Sequence, residues 1–348
     1  MISVEAPIVC VYKTVGEIVL RADVHLPAAA DSRARPAIVY FHGGGLTCGD
    51  RGSWKPEWMI REANARSWIF ISADYRLLLP CTSHDILEDV KDLFSWVSSL
   101  NPIPELADST RNPLGLSVDA SRLIAAGTSA GGYLAYLAAL WAEPRPKAVV
   151  SMYGMGGDFM TSRYLTPKNG PFPSDRPFLD PDDPKFAPLL SESDPPAPLA
   201  GSTLQYDSDG VPADPRMIIH RLFSQQGTYL DYVVGEKGMS TALNAQIEIG
   251  ASASAGVLWD LIPERARGLF PQFHITKAFP PTLFIHGTAD TMVWAQESVS
   301  FGKRLDEVGV PNKVALVEGA GHSFDYHTEG VHEAMLRESI AFVAQYIN

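Results

Sequence analysis

Cysteine is scarce in this chain: three thiols in 348 residues, Cys10, Cys48 and Cys81, an odd number with no close pair. With no Asn-x-Ser/Thr acceptor present either, a disulfide-stapled or glycosylated extracellular fold is not expected. Long apolar runs are missing as well. No stretch supplies the roughly 18 uninterrupted apolar residues of a membrane span, and residues 1–10 carry no basic cluster followed by an apolar stretch. The last four residues match no retention, peroxisomal or prenylation signal, so the expected location is cytoplasmic. Basic residues are a minority, 28 Lys and Arg against 40 Asp and Glu, for a formal charge of −12 and a pI near 5.2. Such a surface repels phosphate backbones and anionic lipid heads, which argues against a nucleic-acid partner. HExxH is absent, and His322, His327 and His332 recur at five-residue intervals, which do not share a helical face. No phosphate-cradling loop with its lysine and no dinucleotide fingerprint occurs. The expectation is no metal and no cofactor.

What is present is a globular composition: 46% hydrophobic, 20% charged, mean hydropathy −0.01, enough apolar surface for a sizeable core. Strand-like and helix-like runs alternate, the pattern of a mostly parallel sheet covered on both faces, an α/β fold. Residues 4–12 and 17–25 read as an antiparallel opening pair around Val15-Gly16. Strands are expected at 37–41, 68–73, 121–126, 147–153, 282–285 and 313–317, and helices at 54–66, 132–142, 295–308 and 331–346. The clearest helix is 85–100, with Ile86, Val90, Leu93, Phe94 and Val97 on one face and Glu88, Asp89, Lys91 and Asp92 on the other. Residues 155–280 break the alternation. Twelve of the chain's 27 prolines lie between Pro167 and Pro215, which favours turn-rich structure, followed by helix-like pieces at 215–234 and 256–269.

Four motifs carry chemistry. Gly127-Thr128-Ser129-Ala130-Gly131 lies between a strand-like and a helix-like run. Small residues two positions either side of the serine let a sharp turn close and lift its Oγ clear of the backbone. His42-Gly43-Gly44-Gly45 follows a strand, and glycines let backbone N–H groups face a developing oxyanion. His286-Gly287-Thr288-Ala289-Asp290 sets a carboxylate past a strand's carboxyl end, where catalytic groups of open α/β sheets collect. Gly319-Ala320-Gly321-His322-Ser323-Phe324 carries a histidine on a glycine-flanked loop. A serine hydroxyl needs a base, which imidazole, with a reference pKa of about 6.5, can provide. An adjacent carboxylate fixes that ring's tautomer and stabilises the imidazolium. Ser129, His322 and Asp290 are therefore the candidate nucleophile, base and acid, and the amides of Gly44, Gly45 and Ala130 the candidate oxyanion donors. Glu318 and Asp325 are rival acids. His42 is read as bracing the glycine loop, and Cys48 and Cys81 as inert buried thiols near the pocket.

On these four motifs, and on the order serine, acid, histidine, the chain resembles the α/β-hydrolase superfamily. Within it the likeness is to the HGGG-bearing carboxylesterase and lipase group related to hormone-sensitive lipase. The resemblance implies an α/β-hydrolase core at 1–154 and 280–348 with a cap inserted at 155–279. Ten cap aromatics, Phe159, Tyr164, Phe172, Phe178, Phe223, Tyr229, Tyr232, Trp259, Phe270 and Phe273, are expected mostly to form the cap's own small core, with some roofing the site. The expected reaction is hydrolysis of a small or medium carboxylic ester, or a lactone, through an acyl-enzyme. A peptidase of the prolyl-oligopeptidase type and a non-catalytic ligand-binding pseudo-hydrolase are the alternatives. Relatives of this group often form homodimers, so a homodimer is among the expected partners.

Overall fold

In the computed structural model the described residues are 6–28, 33–100, 115–173, 176–249, 255–327 and 332–347. Residues 4 and 5 of the expected first strand, residue 331 of the expected last helix and the His327 side chain lie outside them. Eight strands form one sheet in the order β1-β2-β4-β3-β5-β6-β7-β8: β1 Ile8–Val15, β2 Ile18–His25, β3 Arg35–Phe41, β4 Ile69–Ala73, β5 Val118–Thr128, β6 Ala148–Met152, β7 Thr282–Gly287 and β8 Asn312–Val317. The β1-β2 and β2-β4 pairs are antiparallel and all later pairs are parallel. The central strands are buried along nearly their whole length, as expected when helices cover both faces and leave no solvated side for polar alternation.

The helices are α1 Glu57–Ala65, α2 Ser83–Ser98, α3 Ala130–Trp141, α4 Ser162–Leu165, α5 Ala187–Leu190, α6 Arg216–Gln226, α7 Tyr229–Val234, α8 Met239–Ile249, α9 Ala255–Leu261, α10 Ala295–Glu307, α11 Phe324–His327 and α12 Glu333–Ala344. The start of α2 is fixed by a capping box. Thr82 accepts from the His84 amide, and the Asp85 side chain reaches back to the Thr82 amide at 2.9 Å, satisfying donors the helix cannot pair itself. The central helix α3 is buried from Ala130 through Ala139, so it is apolar on every side instead of striped.

The structure divides two expected helices. Residues 215–234 form α6 and α7, because Gly227 takes the left-handed conformation at φ 68° and ends the first. Residues 256–269 form α9 and a 3-10 turn, Glu264–Leu269, separated at Pro263. Helix α8 was not anticipated.

Packing also corrects the expectation for the ten aromatics. Phe159, Tyr164, Phe223, Tyr229 and Phe270 are buried within the same cluster as β3, β5 and α3. Tyr133 of α3 meets Phe159 edge-on at 5.2 Å, and Phe159 meets Tyr164 at 5.1 Å and Phe270 at 5.9 Å. Residues 155–279 thus share the main core instead of building a separate one.

Candidate active site

The nucleophile candidate owes its exposure to steric economy at the end of β5. An added Cβ at Gly127 would stand 2.1 Å from the Gly131 carbonyl oxygen, and one at Gly131 would stand 2.0 Å from the Phe41 oxygen. Only glycine allows the strand, the turn and α3 to approach so closely. Ser129 is forced to φ 53° and ψ −120°, the strained elbow conformation that a side chain rarely adopts. Its own backbone is held by N–H donation to Met152 O at 3.0 Å, while its carbonyl receives the Met155 amide at 2.9 Å.

Three loops converge on this serine. His322 Nε2 lies 3.0 Å from Ser129 Oγ, and His322 Nδ1 donates to Asp290 Oδ2 at 2.6 Å. The other Asp290 oxygen accepts the Met292 and Val293 amides at 2.8 and 3.0 Å. Burial alone would raise the Asp290 carboxyl, but hydrogen bonds from His286 and His322 and their charge hold it well below the usual carboxylate range. The rival acids lie elsewhere: Glu318 is exposed, and Asp325 accepts the Tyr153 hydroxyl at 2.7 Å.

The glycine loop passes alongside. A Cβ at Gly43 would stand 3.2 Å from Ser129 Cβ, and one at Gly45 would collide with the His220 ring. His42 supports the loop from beneath: it is fully buried, stacks on Tyr75 at 4.3 Å and donates from Nδ1 to Gly43 O at 2.8 Å. Burial pushes its imidazole down to about 4, so it stays neutral and structural. Tyr229 donates to Gly45 O at 2.9 Å, tying α7 to the same loop.

Residues the sequence reading did not single out complete the surroundings. Tyr153 packs edge-on to the His322 ring at 4.8 Å. His286, which opens the acid-bearing motif, has both nitrogens engaged, with Ser298 Oγ at 2.8 Å and Val293 O at 2.9 Å. A cavity of about 460 Å³ opens over Ser129 and His322. Its aromatic lining comes from Trp54, Tyr153, Tyr206 and Tyr326, and none of the ten aromatics expected to share in roofing the site lines it. Cys48 does line it, but burial pushes that thiol up to about 12, and Cys81 lies at another pocket, so neither is poised as a nucleophile. No group of three or more metal-binding side chains occurs among the described residues.

Residues 38–212, which hold the glycine loop and the elbow, match the family defined by the alpha/beta hydrolase fold. The chain belongs to that α/β-hydrolase family. A later part of this α/β-hydrolase, residues 258–348, matches the prolyl oligopeptidase family and contains Asp290 and His322. Over 148 residues, 41% of the chain, it is 36% identical to "Probable carboxylesterase M8" of a Phoma species. Over 329 residues, 90% of the chain, it is 27% identical to the non-reducing polyketide synthase Preu6 of Preussia isomera. The chain spans 45% of the first relative's length and 13% of the second's. In fold it resembles a Staphylococcus aureus protein of unknown function, at TM-score 0.64 and 17% identity, covering 98% of this chain and 100% of that one. It also resembles the apo form of Thermogutta terrifontis esterase 2, at TM-score 0.57 and 18% identity, covering 99% and 97%. No described helix is long and apolar enough to cross a membrane.

Proposed function

We propose that this α/β-hydrolase is a serine carboxyl-ester hydrolase acting on a small or medium ester or lactone. Ser129 is the nucleophile, His322 the base and Asp290 the acid, with residues 155–279 as a cap over the cavity. The observation that carries the reading is the continuous hydrogen-bonded chain from Ser129 Oγ through both His322 nitrogens to Asp290. Nδ1 must carry its proton to donate to the carboxylate, which leaves Nε2 free to take the serine proton as Oγ attacks the ester carbonyl. The negative charge then formed on oxygen faces the amides of Gly44, Gly45 and Ala130. Ala130 opens α3, where the first N–H groups have no partner inside the helix. Losing one such donor typically costs about 3–4 kcal/mol of barrier. His322 returns its proton to the departing alcohol, and an acyl-Ser129 ester remains. Water, deprotonated in turn by His322, releases the acid and restores the serine.

The 36% identity to a protein named as a carboxylesterase supports an ester in preference to a peptide. A fluorophosphonate probe tests the nucleophile directly. Labelling of the folded chain that disappears in Ser129→Ala is expected, and a folded chain that resists labelling would favour the pseudo-hydrolase. A screen of acyl esters, lactones and peptide amides ranks the substrates, and turnover confined to amides would favour the peptidase.

A further inference from the structure

The cavity over Ser129 has an electrostatic character opposite to the rest of the chain. Asp and Glu outnumber Lys and Arg by 40 to 28 overall, yet among the described residues no Asp or Glu lines this cavity, while Arg176, Arg221, His220 and His322 do. Arg221 is the decisive member. It lies on α6, is 9% exposed, and donates from one terminal nitrogen to Pro177 O at 3.2 Å. Its Nε has no hydrogen-bond partner, and no carboxylate forms an ion pair with it, among the described residues. Burial, and then the charge of Arg176, press on that guanidinium. His220, next to it in the chain, is pushed down to about 3 by burial and then by Arg221 and Arg163, so it adds a neutral ring and no anion. Buried guanidinium groups are ordinarily matched by carboxylate or phosphate. Among the described residues no such partner is present, and the guanidinium lines the same cavity as Ser129.

Building on the ester-hydrolase reading, we infer that the preferred substrate carries a free carboxylate, received by Arg221 in the cavity and by the exposed Arg176 at its mouth, while Ser129 attacks the ester elsewhere in the same molecule. A single negative charge is favoured over a doubly charged phosphate, because the chain's overall charge of −12 opposes every incoming anion. Cationic groups within a low-dielectric cleft focus the field enough to overcome that repulsion locally. The cavity volume of about 460 Å³ lies within the range that encloses a small organic ligand, roughly 300–1,000 Å³.

The test compares two matched pairs: monoethyl adipate against diethyl adipate, and 4-acetoxybenzoate against its methyl ester. The anionic member of at least one pair is expected to show about tenfold higher kcat/KM, the lower end of what one hydrogen bond to a charged group contributes. That ratio should fall toward one in Arg221→Gln, recover partly in Arg221→Lys and decline in Arg176→Gln, whose exposed position makes misfolding an inadequate explanation. A wild-type ratio at or below one in both pairs, or a ratio unchanged in both glutamine variants, overturns the inference. Calorimetric titration of Ser129→Ala with monoethyl adipate and with 4-acetoxybenzoate separates this from the hydrolase reading. If no ester is turned over, the hydrolase reading fails. Carboxylate binding weakened about tenfold by adding Arg221→Gln still supports the anion site, and binding unaffected by it overturns the site.

Discussion

His286 Nε2 stands 3.3 Å from Asp290 Oδ2, the same oxygen that receives His322 Nδ1. Asp290 is thus gripped by two imidazoles and two backbone amides, all donors directed at a negative charge. Replacing it by asparagine keeps the size but allows the side-chain amide to turn an N–H toward His322, favouring the tautomer with its proton on Nε2. In a serine triad that change costs about 10⁴ in kcat. Asp290→Asn is expected to show a loss of this order on a 4-nitrophenyl ester with the fold retained by circular dichroism. Retention of a tenth or more of the wild-type rate would remove Asp290 from the triad.

Strain at the elbow gives a second expectation. Ser129 sits at φ 53° and ψ −120°, where a Cβ is costly and glycine is not. Such outliers store roughly 1–3 kcal/mol, of which the greater chain freedom of glycine in the unfolded state takes back roughly 0.5–1 kcal/mol. Ser129→Gly should abolish ester turnover and raise the unfolding free energy by about 1 kcal/mol, whereas Ser129→Ala should lose turnover with little change in thermal midpoint. Chemical denaturation of the three proteins is the measurement, and a glycine variant less stable than the alanine one contradicts a strained turn.

Gly131 makes the opposite case. The Cβ of Gly131→Ala would fall 2.0 Å from Phe41 O and 2.8 Å from His42 O, both backbone atoms at the end of a central strand that cannot swing aside as a side-chain tip could. Either β3 or α3 must move, which displaces the glycine loop together with the elbow. The expected outcome is a loss of more than about 3 kcal/mol or no soluble protein at all. A soluble Gly131→Ala enzyme with wild-type kcat/KM would show that this close approach is not required.

These substitutions also mark what the sequence made legible. The elbow, the glycine loop and the acid and histidine loops each need particular small residues at fixed spacing, so the geometry is written locally and Ser129, Asp290 and His322 could be read from it. The aromatics of residues 155–279 carry no such spacing. Whether Tyr229 roofs a pocket or holds Gly45 depends on where α7 docks, a long-range outcome. Helix α8 did leave a trace, since Met239, Leu243 and Ile247 recur every fourth residue. His286 could not be distinguished from its motif, because its partners Ser298 and Val293 lie beyond the turn. That Arg221 has no carboxylate partner among the described residues was invisible for a related reason: an absent partner is defined only once the neighbours are known.

Glu297 supplies the last expectation. On α10, within reach of the elbow's neighbours, its carboxyl group accepts the Tyr164 hydroxyl at 2.6 Å and the Gly156 and Gly157 amides at 2.9 and 3.2 Å. It thereby pins the chain leaving β6 against α10. Burial pushes this carboxyl up to about 8 from an ordinary 4.5, although the Tyr164 hydroxyl and Arg163 pull the other way. Between those pH values the folded chain keeps a proton that the unfolded chain has released. Its contribution to stability is therefore fully present below about 4.5 and is lost as pH rises toward 8. In Glu297→Gln the amide oxygen can still accept the backbone N–H groups, and its NH2 can donate to the Tyr164 oxygen, with nothing left to ionise. Thermal midpoints measured from pH 4.5 to 8 should fall more steeply for the wild type than for Glu297→Gln. Parallel curves would mean that Glu297 titrates alike in the folded and unfolded chains.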